Sequence, residues 1–143
     1  MNWIHWSLLS AFFAGLTAIL AKVGVTGVNS DLATAIRTTV ILGFAWSVAF
    51  VTSKPALMLD FPGKTWVFLG LSGVATGLSW LCYFRALQLG EASRVAPVDK
   101  LSVVFVILLA AVFLREKMTV QHWIGGTLIV SGAVVLAWKS GKV

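Results

Sequence analysis

Five long stretches of apolar residues run along the chain, and short polar segments separate them. A helix needs about 20 apolar residues to cross the hydrocarbon core of a bilayer. The stretches predict transmembrane helices over residues 3–21, 32–52, 66–87, 95–114 and 123–138. No segment between them is long enough for a soluble domain. The pattern therefore predicts an all-α integral membrane protein with five transmembrane helices, forming a single domain over residues 1–143.

The composition also favours membrane insertion. Of the 143 residues, 59% are hydrophobic and 11% are charged, whereas a soluble domain carries about 25% charged residues. The net charge of +6 would suggest nucleic acid in a soluble chain. Here, however, Lys and Arg stand mostly at the ends of the apolar runs, where they set topology and contact lipid headgroups. We therefore expect a multi-pass protein of the cell inner (plasma) membrane that contacts the lipid bilayer and no nucleic acid.

A charged hinge, residues 90–100, joins the third and fourth spans. Gly90 is expected to end the third helix, and Pro97 is expected to lie in the first turn of the fourth. Because a residue before proline disfavours helical angles, irregular backbone is expected at Ala96. Irregular backbone at membrane depth survives only inside protein or beside a water-filled cavity. The hinge is thus either part of a substrate pathway or an ordinary charged loop at the bilayer surface.

The third span carries a polar and aromatic stripe on an otherwise apolar helix. On a helical wheel its members fall within about 100° of one another; they are Ser72, Thr76, Ser79, Trp80 and Tyr83. Such a stripe can offer hydroxyl groups and ring faces to an organic solute, as small-molecule sites do, and either ring can receive a cation. The alternative is helix packing, with the hydroxyls bonded to carbonyls of their own helix.

Charged residues within or beside the spans form a second group of candidates, because charge inside a bilayer is costly. Arg37 lies about two turns inside the second helix and needs a partner, either Asp31, Asp99 or an anionic group of a substrate. Asp31 is also the expected N-cap of that helix. Asp99 and Lys100 can pair with neighbours, bind a zwitterion or respond to protons. Arg85 is expected to reach the bilayer surface or to pair with a hinge carboxylate.

Several motifs that would indicate other functions are missing from the sequence. The first span holds no acidic residue, which disfavours a drug/proton antiporter built on an embedded carboxylate there. No G-x-x-x-x-G-K-[ST] loop, HExxH or GxSxG motif occurs. A single cysteine, Cys82, excludes a disulfide framework or a metal quartet within one chain. We therefore expect neither an enzyme, nor a metal site, nor a cofactor.

Positive charges are divided almost evenly between the two sides of the membrane. The side of the N-terminus holds four, Lys54, Lys64, Arg115 and Lys117. The opposite side holds five, Lys22, Arg94, Lys100, Lys139 and Lys142, and the helical Arg37 and Arg85 would raise that count to seven. Because the richer side normally faces the cytoplasm, this weak bias favours insertion in both orientations and an antiparallel homodimer. The alternative is one orientation with the C-terminus inside.

Four segments carry a resemblance to a known family: ATAIRT (33–38), GLSWLCYFRALQLGEASRVAPVDKLSVV (77–104), LREK (114–117) and GGTLIVSGAVVL (125–136). They are similar to the EamA family of the drug/metabolite transporter superfamily, in particular to its short five-helix members. The resemblance implies one half of a ten-helix inverted-repeat transporter, completed by a second copy. It also implies export or exchange of amino acids, other metabolites or toxic compounds. The family's usual Gly-Glu near the end of the fourth span is Arg115-Glu116 here.

The favoured hypothesis is secondary transport of a small organic metabolite or drug-like solute by alternating access in a homodimer. The candidate substrate-binding residues are Arg37, Thr76, Ser79, Trp80, Tyr83, Asp99 and Lys100. Two alternatives stay open, a lipid flippase and a non-transporting membrane subunit that stabilises a partner.

Overall fold

The computed structural model describes residues 2–53, 58 and 60–138, and its regular structure there is helical. The helices are α1 (Trp3–Val25), α2 (Ser30–Thr52), α3 (Gly63–Leu89), α4 (Ala92–Asp99), α5 (Ser102–Phe113) and α6 (Val120–Ala137). Since α4 and α5 together form one apolar span, five segments are long and apolar enough to cross a membrane. This confirms the predicted all-α fold with five spans. Three lysines in the charge count, Lys54, Lys139 and Lys142, lie outside the described residues.

The start of α2 differs from the prediction. Asn29, rather than Asp31, is the N-cap, and its backbone is extended (φ −66°, ψ 127°). Its side-chain oxygen accepts hydrogen bonds from the backbone N–H groups of Asp31 at 2.9 Å and Leu32 at 3.1 Å. The helix begins at the small polar residue Ser30, before the apolar run starts. Asp31 therefore lies within the first turn, where its negative charge favours the helix dipole.

Removing this cap should weaken the fold measurably. Asn29→Ala should lower the free energy of unfolding by about 1 kcal/mol, because two helix N–H groups lose their acceptor. Asn29→Asp keeps an acceptor oxygen and is the matched control, with an expected change of only about a few tenths of a kcal/mol. Denaturation of the purified variants in detergent measures both values. Equal stability of the alanine variant and the wild type would contradict the cap.

The fourth span is interrupted after Pro97, not before it. Pro97 lies well inside α4 instead of in its first turn, and Ala96 is helical; both predictions were wrong, because the helix starts several residues earlier. The break lies at residues 100–101, which separate α4 from α5. There the backbone N–H groups donate to the carbonyl three residues earlier instead of four, as Leu101 N–H does to Val98 O at 3.0 Å.

The chain after α5 turns through a left-handed residue. Arg115 has φ 54°, and it is the one non-glycine residue with positive φ among those described. The carbonyl of Ala110 accepts hydrogen bonds from Leu114 N–H at 3.1 Å and Glu116 N–H at 3.2 Å. A left-handed conformation costs a residue with a Cβ about 1–2 kcal/mol, and glycine avoids that cost. This gives a physical reason for the glycine that the resemblance places at this turn.

Glycine should therefore suit this position better than arginine. Arg115→Gly should stabilise the protein by roughly 0.5–1 kcal/mol, because relief of the strain exceeds the conformational entropy that glycine loses on folding. Arg115→Ala removes the same side chain but keeps the Cβ, so it should bring no such gain. Chemical denaturation in mixed micelles compares the two variants. An equal gain in both would assign the effect to the lost guanidinium rather than to the backbone.

By its backbone contacts the chain divides into two compact units, residues 1–19 with 89–143 and residues 20–88. In the first unit, α4 and α5 pack against α6. Small side chains allow this packing, and Ala110 of α5 and Ala133 of α6 are both buried. At Gly126 of α6, an added Cβ would lie 3.7 Å from Ile107 Cδ1 of α5, an ordinary van der Waals distance, so the two helices are in contact there.

In the unit of residues 20–88, the core lies near the end of α1 and the end of α3. Val25 and Leu87 are fully buried there. The Gln88 amide donates to the carbonyls of Val25, at 3.3 Å, and of Val28. The Lys22 ammonium donates to the carbonyl of Leu87. These hydrogen bonds fix the end of α3 to the turn that leads into α2.

Candidate functional site

A positively charged side chain of α2 lies on an aromatic surface of α3. The Arg37 Cζ is 4.3 Å from the centroid of the Trp80 ring and 5.5 Å from that of Phe84. Phe84 is buried, whereas Arg37 and Trp80 are half-buried. We call Arg37, Trp80 and Phe84 the arginine cluster. It joins two of the residues that the sequence predicts for substrate binding.

Helix geometry explains why these residues meet. Trp80 and Phe84 are four residues apart and therefore lie on one face of α3. Arg37 is seven residues into α2, which places it about 10 Å along the helix axis from the first residue. Trp80 is nine residues before the end of α3, or about 14 Å along its axis. The arginine cluster therefore lies within the apolar spans and not at their ends.

No ion pair between Arg37 and a carboxylate occurs in the described residues. Asp31 accepts a hydrogen bond from the Ser30 hydroxyl at 3.4 Å. Asp99 Oδ2 lies 3.7 Å from Lys100 Nζ. In the described part of the chain, no fully buried side-chain nitrogen or oxygen lacks a hydrogen-bond partner. The guanidinium N–H groups of Arg37 are therefore open to the surroundings.

The other predicted residues of α3 have different environments. The Thr76 hydroxyl donates to the carbonyl of Ser72 at 2.8 Å, as the packing alternative predicts for this residue. Thr76 and Ser79 are exposed, whereas Tyr83 is half-buried. The Tyr83 ring centroid is 6.5 Å from that of Phe84, so the tyrosine adjoins the arginine cluster. Their roles in substrate binding stay predictions.

Asp99 and Lys100 belong to the other unit, where they flank the break between α4 and α5. Their side chains are 38% and 59% exposed. A second local pair joins Arg94 Nε to Glu91 Oε2 at 3.0 Å. Exposed ion pairs of this kind stabilise a protein by about 0–1 kcal/mol. Arg85 is exposed, and its pairing with a hinge carboxylate stays a prediction.

Sequence reasoning missed Phe84 and Gln88. Phe84 looks like one more apolar residue of a membrane span, although its spacing of four from Trp80 was a usable signal. Gln88 is the polar residue nearest the end of α3, and its two backbone acceptors lie more than 50 residues away in the sequence. No grouping of three or more His, Cys, Asp or Glu side chains within the described ranges could hold a metal ion.

An all-helical chain with five membrane-length apolar segments and a charged cluster inside them is a multi-pass membrane protein. The model of the EamA-like transporter family matches residues 1–138, and the chain belongs to that family. It is thus a multi-pass transporter-family protein of the inner membrane, which confirms the resemblance and the predicted location.

Two kinds of relative are similar to the chain. An "uncharacterized transporter in cobO 3'region" from Sinorhizobium sp. is 53% identical over 136 residues, covering 95% of this chain and 96% of the relative. A "probable 4-amino-4-deoxy-L-arabinose-phosphoundecaprenol flippase subunit ArnE" from Yersinia pseudotuberculosis is 34% identical over 71 residues. That alignment covers 50% of this chain and 62% of the relative. No solved structure matches the chain.

Proposed function

We propose that the chain is a secondary transporter of a small organic metabolite or drug-like solute, working by alternating access as a homodimer. The observation that carries the proposal is a charged and aromatic cluster at membrane depth in a member of a transporter family. An ionisable residue inside a span is a functional candidate by default, because its insertion is costly. Arg37, Trp80 and Tyr83 would contact the solute, with Thr76 and Ser79 along the same helix. Asp99 and Lys100 would form a further charged part.

Open helix surfaces support a second copy of the chain. In α3, Gly73 and Gly77 form a G-x-x-x-G pattern, and a Cβ added to either would meet no atom within 4 Å. The same holds for Gly15 of α1 and Gly43 of α2. Small residues let helices of a membrane protein approach closely. Two copies in opposite orientations would give the ten helices of an inverted-repeat transporter.

Topology reporters test the antiparallel arrangement. The chain is fused at its C-terminus to a reporter active only in the cytoplasm and, separately, to one active only outside it. Comparable activity of both is expected, because the positive charges barely favour either orientation. Activity of one reporter alone would fix the orientation and contradict the antiparallel homodimer.

The test of transport uses the purified protein in liposomes. Counterflow of labelled solutes into loaded vesicles is expected without any other protein. If no solute of a broad panel moves while the protein remains folded, transport by this chain alone is wrong.

The similarity to flippase subunits favours a second candidate function, a subunit that translocates a lipid-linked precursor together with a partner protein. This candidate predicts that deletion of the gene stops translocation of such a lipid and that the purified chain alone is inactive. Transport by the purified chain alone in liposomes would exclude the flippase-subunit function as the main role.

A further inference from the structure

We propose that the arginine cluster binds the oxyanion, a carboxylate or phosphate group, of an amphipathic organic molecule. The inference rests on the proposed function, because it names the class of solute that the transporter would take. The same group can come from a soluble metabolite or from a lipid headgroup. The experiments below separate these two sources.

The charge of Arg37 favours an anionic ligand. Arginine stays protonated in proteins, so Arg37 brings a permanent positive charge to a position about 10 Å inside α2. No carboxylate among the described residues forms an ion pair with it. An anionic ligand would neutralise this charge at membrane depth, whereas a cationic solute would be repelled.

The geometry of Arg37 also suits an oxyanion. Its Cζ lies over the Trp80 ring, 4.3 Å from the centroid, so a cation–π contact holds the group. This contact does not occupy all five N–H donors of the guanidinium. The edge of a guanidinium presents those donors as a planar fork, which matches two oxygens of a carboxylate or phosphate. A lysine ammonium at this position would keep the charge and lose the fork.

The surroundings of the charged group suit an amphipathic ligand. Trp80 and Phe84 provide aromatic surface within 6 Å of the Arg37 Cζ. Tyr83 adds a further ring beside Phe84. A ligand whose acidic group meets Arg37 would therefore place an apolar or ring-bearing body against these side chains. Because Arg37 itself covers the Trp80 ring, that ring is not the receptor for a cationic solute.

Binding to the purified protein tests the anion assignment. Wild type, Arg37→Gln and Arg37→Lys are placed in nanodiscs of phosphatidylcholine, and calorimetry measures the affinities for benzoate, phenyl phosphate and the neutral benzamide. The wild type should bind at least one of the two anions about tenfold more tightly than benzamide, or about 1.4 kcal/mol. Arg37→Gln should lose this preference, and Arg37→Lys should keep part of it.

Arg85→Gln is the matched control, because Arg85 is also an arginine inside a span and is exposed. It should keep the anion preference of the wild type. The proposal is overturned if the wild type shows no preference for either anion, or if folded Arg37→Gln retains it. The first of these outcomes is measured on the wild type alone, so it does not depend on whether a variant folds.

A second nanodisc composition distinguishes the sources of the oxyanion. If a lipid headgroup occupies the arginine cluster, phosphatidylglycerol should weaken benzoate and phenyl phosphate binding to the wild type but not residual binding to Arg37→Gln. If a soluble solute is the ligand, the lipid should have no such effect. Either result supports oxyanion binding at the arginine cluster and shows whether the oxyanion belongs to a lipid or to a soluble solute.

Counterflow in liposomes separates failure of this inference from failure of the proposed function. If the wild type transports neutral solutes but no anion, and Arg37→Gln transports them equally, transport stands and the anion assignment is wrong. If anions bind in an Arg37-dependent manner but no solute crosses the membrane, the anion site stands and transport is wrong.

Discussion

Leu87→Ala should lower the free energy of unfolding by about 2–3 kcal/mol. Leu87 is fully buried, so the truncated side chain leaves a cavity that its neighbours fill only in part. The value lies at the low end of the range for soluble cores, because in a membrane the unfolded leucine is transferred to lipid and not to water. The carbonyl of the same residue receives the Lys22 ammonium, and a shift of the backbone would weaken that contact as well.

Leu78→Ala is the matched control for this substitution. Leu78 belongs to the same helix, but its side chain is 60% exposed and would meet lipid in both folded and unfolded states. Its replacement should change stability by about 0.5 kcal/mol or less. Denaturation of both variants in mixed micelles gives the comparison. Similar losses at the two positions would mean that Leu87 is not part of a packed core.

Trp80→Leu should reduce transport in liposomes by about tenfold or more, with the protein still folded. The Trp80 ring holds the Arg37 guanidinium at 4.3 Å, and a desolvated cation–π contact contributes about 2 kcal/mol. Leucine keeps the apolar volume but offers no ring face, so the guanidinium would lose its fixed position. Trp80→Phe keeps a ring that makes a weaker cation–π contact, and it should retain intermediate activity. Initial rates of counterflow measure the effect.

Trp66→Leu controls for the loss of an indole from α3. Trp66 is 51% exposed, and its ring lies beside that of Phe61, at 6.4 Å between centroids. Its replacement should leave the initial rate within about twofold, as for a surface substitution away from special contacts. Equal losses for Trp66→Leu and Trp80→Leu would remove the support for a specific role of the arginine cluster.

The five spans could be predicted because bilayer thickness sets a length that apolar runs reveal directly. The helix ends were harder to predict, since local side chains decide them. At α2, an asparagine two residues before the expected cap satisfies the first N–H groups. At the fourth span, the helix starts before the apolar run, so the proline falls inside it.

Part of the candidate site could be predicted as well. Arg37 and Trp80 stand out in the sequence as a charge and an indole within apolar spans. Their contact depends on how α2 and α3 are rotated about their own axes, and no pattern in either helix alone determines that rotation. The same holds for Gln88, whose acceptors lie far away in the sequence.

The permanent charge of Arg37 would make reorientation of the empty carrier sensitive to membrane voltage. Moving one elementary charge across the membrane changes its free energy by about 2.3 kcal/mol per 100 mV. An empty carrier would keep the positive charge of each arginine cluster, whereas a cluster loaded with a monoanion would be neutral. Reorientation without ligand would then be opposed by the low dielectric of the bilayer. The cycle would favour electroneutral exchange of one anion for another over net flux of a single solute.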